Sequence, residues 1–403
     1  MWRIESAKVT AALARVVRDV GLAEELAQEA LVAALVQWPK DGVPENPGAW
    51  LTTVGKRRAI DVVRRNRLLA EKQHLIADDE IEEAPELSES EAVDDDLLRL
   101  IFIACHPVLT KEARAALCLR LMGGLTTQEI ARAFLLPEPT IAQRIVRAKR
   151  TLSEAGVAFE LPRGEERIKR LPSVLEVIYL IFNEGYTATR GGDWMRPQLC
   201  EEAMRLGRIL AHLASGESEV HGLVALMELQ ASRFGARVSP EGEPILLLDQ
   251  DRAQWDHVLI RHGLEALGRA QDLGKAGIYT LQAAIAACHA RALTPEETDW
   301  IRIAALYTAL GHVMPSPVVE LNRALAMGMA FGPQAGLDIT DALMSDATLR
   351  HYHLLPAVRA DLLEKLGRQD EARQEFERAA ALTSNERERE LMHKRASALR
   401  GDQ

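Results

Sequence analysis

Residues Gly124–Leu152 read GLTTQEIARAFLLPEPTIAQRIVRAKRTL. Thr126 suits a helix N-cap, and Glu129, three residues on, completes a capping box. Ile130, Ala131 and Phe134 then share one face of a short helix. A turn at Leu135 and Leu136 follows. Pro139 fits the first turn of a second helix, where its missing N–H costs nothing. In that helix Ile141, Ile145 and Ala148 face inward. Glu138, Thr140, Gln143, Arg144 and Arg147 are left outward, with Lys149 and Arg150 beyond them. From Thr140 to Thr151 there is no acid to offset these cations. Spacing, cap, turn and charge together predict a helix-turn-helix whose second helix enters a DNA major groove. Just upstream, residues 97–123 predict two apolar helices split around Pro107.

The rest of the chain is also helical in character. It has 403 residues, 47% of them hydrophobic and only 4% aromatic, with Ala, Leu, Glu and Arg recurring. β-Branched and aromatic residues are what strands collect, so an all-α chain of two or three domains is expected. The formal net charge of −10 argues against nucleic acid until its distribution is read. Lys56–Lys72 holds seven basic residues against two acids, and Gln73–Asp96 holds eleven acids and no Lys or Arg. The acidic stretch, with a proline and no apolar stripe, predicts a flexible linker. About 25 such residues have a typical end separation near 30 Å. No apolar run reaches membrane-spanning length and Met1–Thr10 lacks a leader's apolar core, so a cytoplasmic protein without a membrane partner is expected. Cys105, Cys118, Cys200 and Cys288 are far apart, which predicts buried thiols rather than a zinc knuckle or disulfides.

Upstream of the basic run, residues 5–38 carry apolar residues at helical spacing, including Leu26, Leu31, Ala34 and Leu35, with a break expected near Gly21. WPKDGVPENPGAW, from Trp38 to Trp50, has three prolines and two glycines and predicts a loop. Trp38 and Trp50 read as core-packing side chains. Helix resumes at Trp50, with Leu51, Val54, Ile60 and Val63 on its apolar face and cations opposite.

AEELAQEALVAAL, the loop, and then AWLTTVGKRRAIDVVRR resemble region 2 of bacterial extracytoplasmic-function sigma factors of the sigma-70 family. The helix-turn-helix resembles region 4 of the same family. The resemblance implies that Glu24, Glu25, Leu26, Gln28 and Glu29 dock on core RNA polymerase. It implies that the loop residues Asp41, Val43, Glu45 and Asn46, with Lys56, Arg57, Arg58, Arg64 and Arg65, take the −10 promoter element as single-stranded DNA. A positive groove beside a stiffened pocket suits an unstacked strand. On the −35 element, Glu138, Thr140, Gln143 and Arg144 are the implied base-edge readers. Arg147, Lys149 and Arg150 are the implied phosphate contacts. The sequence departs from the family at Leu22-Ala23 and at Lys56-Arg57, which bears on how the −10 element is read.

Residues 157–403 read as helix after helix. Ala357–Leu382 resembles a tetratricopeptide repeat, with Ala360, Ala372 and Ala379 at the helix crossing, Leu366-Gly367 ending the first helix, and Phe376 packing from the second. Val318–Met344 is a weaker copy, with Ala324, Gly332, Ala335 and Leu343 as counterparts. Stacked helix pairs leave a concave face for a peptide or another protein. A plain helical domain without a superhelix is the simpler reading. The resemblance to the extended group with such a C-terminal domain implies regulation in cis. Two further stretches, Asn183, Glu184, Tyr186 and Arg190, and Asp249, Gln250, Asp251, Arg252, Trp255 and Asp256, predict ion pairs linking helices.

The expected architecture is thus an all-α chain: region 2 at 1–72, an acidic linker at 73–96, region 4 at 97–156 and a repeat-like extension at 157–403. The expected partners are core RNA polymerase, promoter DNA and a protein or peptide ligand of the repeats. No nucleophile elbow, phosphate loop, dinucleotide fingerprint or zinc-protease motif occurs, so neither catalysis nor a cofactor is expected. Cys105-His106 sits at a helix break in an apolar run and reads as packing. The competing reading is a helix-turn-helix regulator of duplex operators with a ligand- or partner-sensing repeat domain. Residues 22–65 discriminate, because such a regulator has no need of them.

Overall fold

A computed structural model describes residues 2–72, 89–134, 136–186, 196–239, 245–274, 276–383 and 386–399. These form eighteen α-helices with short 3-10 turns, and no β-strand is among them. The chain divides into two compact units, Met1–Ile181 and Phe182–Gln403.

The first unit contains α1 (Trp2–Val17), α2 (Val20–Asp41), α3 (Pro47–Lys72), α4 (Glu89–Ala104), α5 (Lys111–Leu121), α6 (Thr127–Phe134), α7 (Glu138–Glu154) and the greater part of α8 (Gly164–Tyr186). α1 lies against α2, α3 and α4. Its Val9, Ala11, Leu13 and Ala14 are fully buried, as an apolar stripe gripped from several sides requires. α3 approaches α1 closely at Gly55, where a Cβ would stand 2.8 Å from Leu13 Cδ1. α4 and α5 are buried almost all round, including Leu100, Ile101, Phe102, Ile103, Leu117 and Leu119. That is why their sequence reads as near-continuous apolar runs rather than stripes.

Several boundaries differ from expectation. The break near Gly21 falls at Arg18, whose φ is +54°, because Asp19 caps α2 by accepting from Leu22 N–H at 2.8 Å. The loop expected over 38–50 shrinks to Gly42–Asn46. Pro39 stays inside the last turn of α2, and Pro47 opens α3, whose first N–H groups need no partner within the helix. Asn46 Oδ1 caps α3 by accepting from Ala49 N–H at 3.0 Å. The acidic linker lies outside the described residues up to 88, but its last eight residues, 89–96, are the helical start of α4. Carboxylates in a first helical turn are favoured by the helix dipole.

The second unit contains the end of α8 and α9 (Pro197–Leu213), α10 (Ser218–Ala231), α11 (His257–Leu273), α12 (Ile278–Arg291), α13 (Trp300–Val313), α14 (Pro317–Phe331), α15 (Pro333–Leu343), α16 (Leu354–Lys365), α17 (Gln369–Leu382) and α18 (Glu386–Ala398). α10 is its most buried helix, packed against α9, α11 and α12. From α13 onward, helices pack mainly on their sequence neighbours. In the α16–α17 pair, Ala360, Ala372, Phe376 and Ala379 are fully buried, and Gly367 turns the chain at φ +76°. In the α14–α15 pair the close approach is made by Gly336, not by the expected Ala335. A Cβ on Gly336 would stand 3.1 Å from Gly328 Cα and 2.5 Å from Ala324 O.

Candidate functional site

The helix-turn-helix is α6 and α7. Both arms of the capping box are made: Glu129 N–H donates to Thr126 Oγ1 at 3.1 Å, and Thr126 N–H donates to Glu129 Oε2 at 2.7 Å. Ile130 and Ala131 are buried, Phe134 is half-buried, and Leu135 lies outside the described residues. α7 buries Ile141, Ile145, Ala148 and Leu152 as a single stripe. Glu138, Thr140, Gln143, Arg147 and Arg150 are exposed, and Arg144 and Lys149 are half-buried. Thr140, Gln143, Arg144 and Arg147 form one wall of a cleft of about 360 Å³, and Leu109, Thr110 and Ala113 at the start of α5 form the other. α7 thus offers a polar, cationic face beside an open cleft, as a groove-reading helix needs.

α2 is less simple. Glu25, Gln28 and Glu29 are exposed, but Leu26 (3% exposed) is in the core and Glu24 (7%) is buried. Glu24 Oε1 accepts from Gln28 Nε2 at 2.7 Å and from Arg120 Nε at 2.6 Å, and its Oε2 pairs with Lys149 Nζ. The five residues expected to act together therefore split between two sides of the helix. Beside the exposed three, Val32, Leu35 and Val36 are 59%, 66% and 61% exposed. Leu35 had been expected inward. Their spacing continues the face of Glu25, Gln28 and Glu29, and that continuation was the available signal.

α3 presents Arg57, Arg64 and Arg65 to solvent, while Lys56 and Arg58 are half-buried. Arg58 Nη1 meets Glu29 Oε2 of α2 at 2.8 Å. Leu51 and Ala59 face the core, whereas Ile60, expected on the apolar face, is exposed. In and beside the short loop, Asp41, Val43, Glu45 and Asn46 are all exposed. Trp38 and Trp50 meet edge-on across its two ends, with ring centroids 5.4 Å apart. This pins the loop ends together and leaves the tip free.

Of the two stretches expected to link helices by ion pairs, the first does so at Glu184, whereas the described residues of the second make other contacts. Glu184 does pair with Arg196 at 2.5 Å. Arg252, however, donates to His289 O, Ala292 O and Thr298 Oγ1, while Asp251 and Asp256 cap the turns that follow them. Tyr186 packs against Arg237, whose guanidinium carbon lies 3.7 Å from the ring centroid. Arg190 lies outside the described residues. His289 is pushed down to about 4 by burial and by the Arg233 and Arg252 charges. The Cys105 thiol is raised well above its ordinary value by its hydrogen bond with Cys118 and by burial, the opposite of an activated nucleophile. Among the described residues no acid, His and Cys cluster could hold a metal ion. No described helix is long and apolar enough to cross a membrane.

Comparison with known proteins agrees with this geometry. Residues 2–68 match Sigma-70 region 2, and residues 99–152 match Sigma-70 region 4. Residues 170–271 match a family of unknown function, DUF6596. The chain is 44% identical over 378 residues to an uncharacterized protein of Rhizobium meliloti (strain 1021), covering 93% of this chain and 89% of that one. It is 30% identical over 149 residues to the ECF RNA polymerase sigma factor SigK of Mycobacterium ulcerans (strain Agy99), covering 36% of this chain and 78% of SigK. It is 26% identical over 170 residues to the probable ECF RNA polymerase sigma factor SigI of Mycobacterium tuberculosis (strain ATCC 25618 / H37Rv), covering 41% of this chain and 58% of SigI. An all-helical chain with both sigma regions in this order is a transcription initiation factor by class. The chain belongs to the extracytoplasmic-function sigma factors of the sigma-70 family and carries a helical C-terminal extension.

Proposed function

We propose that this sigma factor binds core RNA polymerase in the cytoplasm, directs it to promoters with −35 and −10 elements, supports melting at −10, and is regulated in cis by residues 157–403. The observation that carries the reading is one chain bearing both the outward polar face of α7 and the exposed strip of α2. That strip has an apolar centre (Val32, Leu35, Val36) and a polar edge (Glu25, Gln28, Glu29), the make-up of a protein-docking surface. On this reading the functional bodies are 1–72, 73–96, 97–156 and 157–403. α2 docks on the polymerase. The loop residues Asp41, Val43, Glu45 and Asn46 receive an unstacked base. Lys56, Arg57, Arg58, Arg64 and Arg65 hold its strand by phosphate contacts. Glu138, Thr140, Gln143 and Arg144 read −35 base edges, and Arg147, Lys149 and Arg150 set the register on phosphates. The extension offers its helix pairs to a protein or peptide signal, and no cofactor or catalysis is required.

The test is co-elution of the full chain with bacterial core RNA polymerase, followed by capture of fragments from a promoter pool. Binding to polymerase and enrichment of fragments sharing two spaced elements are expected. Binding of duplex operators with no affinity for polymerase would instead make the protein an operator-binding regulator.

A further inference from the structure

The end of α12 and the start of α13 flank a cleft of about 260 Å³, lined by Cys288, Arg291, Ala292, Glu297, Asp299 and Arg302. Its two acids are committed to the backbone. Asp299 caps α13 by accepting from Arg302 N–H at 2.9 Å, and Glu297 accepts from Leu293 N–H at 3.1 Å. Among the described residues, the exposed Arg291 and Arg302 side chains make neither a hydrogen bond nor an ion pair. Their forked guanidinium donors are therefore left for a ligand. The floor carries no charge, because burial pushes the Cys288 thiol up and keeps it protonated. The loop between the helices is held from behind by Arg252, which is itself buried. That one guanidinium donates to His289 O at 2.9 Å, Ala292 O at 2.7 Å and Thr298 Oγ1 at 2.9 Å. Both ends of the loop are fixed on it, so the cleft is formed before a ligand arrives.

Free guanidinium groups over an uncharged floor, with a third guanidinium behind, make a receptor for an oxyanion. Charge and size decide which kind. Two cations face two acids in the lining, so a second negative charge on the ligand would meet repulsion from Glu297 and Asp299. The volume falls below that of most cofactor sites and suits an oxyanion head with a few carbon atoms. Leu293 and Ile301, next along the chain to Ala292 and Arg302, are exposed and offer apolar surface. We propose that this cleft binds a monocarboxylate with a short aliphatic chain, its carboxylate held by Arg291 and Arg302. The ligand is a free organic acid or the carboxylate end of a peptide, two sources of one chemistry. The cleft lies within the second unit, so the proposal stands apart from the sigma-factor reading.

The experiment is calorimetric titration of the full chain with isovalerate, N-acetyl-leucine, N-acetyl-leucinamide and inorganic phosphate. The first two separate a free acid from a chain end. The amide removes only the charge, and phosphate in mild alkali adds a second one. At least one of the two acids is expected to bind with a Kd of roughly 1 mM or tighter. The amide and phosphate are expected to be at least tenfold weaker. Arg291→Gln and Arg302→Gln should each weaken the acid by about tenfold or more, as loss of a hydrogen bond to a charged group does. Both side chains are exposed, so the melting midpoint should hold, and Arg261→Gln, exposed on α11, should bind as the parent does. Isovalerate bound without N-acetyl-leucine assigns the site to a free acid, and the reverse assigns it to a chain end. No binding of either acid at about 10 mM overturns the proposal. So does binding that ignores both substitutions, or phosphate bound as tightly as the acid.

Discussion

α2 and α7 are both amphipathic helices with a proposed partner, but they are held differently. α7 leans on its neighbours by one stripe, Ile141, Ile145, Ala148 and Leu152, and apart from Lys149, which pairs with Glu24, its site residues face out or toward the cleft beside α5. α2 is gripped by α1, α3 and α7, so its free face is a narrow strip. On such a helix polarity does not mean exposure and apolarity does not mean burial. Glu24 is inside, and Val32, Leu35 and Val36 are outside. The lesson is that a helix packed on one side can be divided by period alone, whereas a helix packed on three sides needs its tertiary neighbours.

The sharpest way to break this contrast is Leu26→Ala. With Leu26 in the core, the substitution is expected to cost ~2–5 kcal/mol of stability, lowering the melting midpoint before any binding is measured. An unchanged midpoint with lost polymerase binding would return Leu26 to the docking face. A pH effect of comparable size is expected in the second unit. His289 is neutral in the fold and pushed down to about 4, against an unfolded value near 6.5. The unfolded chain therefore binds the extra proton between these values. Stability is complete above about pH 6.5 and falls by up to about 3 kcal/mol as pH drops through 4. Melting curves from pH 4 to 7 should show this slope, and His289→Gln should flatten it.

Smaller effects separate the two kinds of contact on α7. Gln143→Ala is expected to change preference at one base pair by ~1–3 kcal/mol. Arg147→Ala should weaken all sequences alike and reduce the salt slope by about one. A binding panel of promoter variants that shows the reverse exchanges their roles. The smallest expected effect is Thr126→Ala, which removes the α6 cap and costs about 1 kcal/mol by denaturant melting. No loss at all would mean that Glu129 alone satisfies the helix end.

The all-α class, the helix-turn-helix and its capping box were legible because they rest on contacts within a few residues. Thr126 and Glu129 are three apart, and the α7 stripe follows the helical period. The α16–α17 pair was legible for the same reason, through small residues and Gly367 at the turn. What sequence concealed depends on distant partners or on competition at a helix end. Arg120 reaches Glu24 across 96 residues, which no local pattern reports. Asp19 out-competed Gly21 as the start of α2 because a side-chain acceptor ends the break where it can cap. Gly336 rather than Ala335 makes the α14–α15 crossing, a shift of one residue that only the facing helix decides. Arg252 found the carbonyls of His289 and Ala292 rather than the acids beside it in sequence.

The central claim is tested most directly by placing a photo-crosslinking side chain at Val32, on the exposed strip of α2, and in a second protein at Ile168, equally exposed on α8. Each full-length protein is irradiated with bacterial core RNA polymerase. The account predicts a crosslink to a polymerase subunit from position 32 that unlabelled protein competes away, and little or none from position 168. No crosslink from position 32, or equal crosslinking from both, would contradict it.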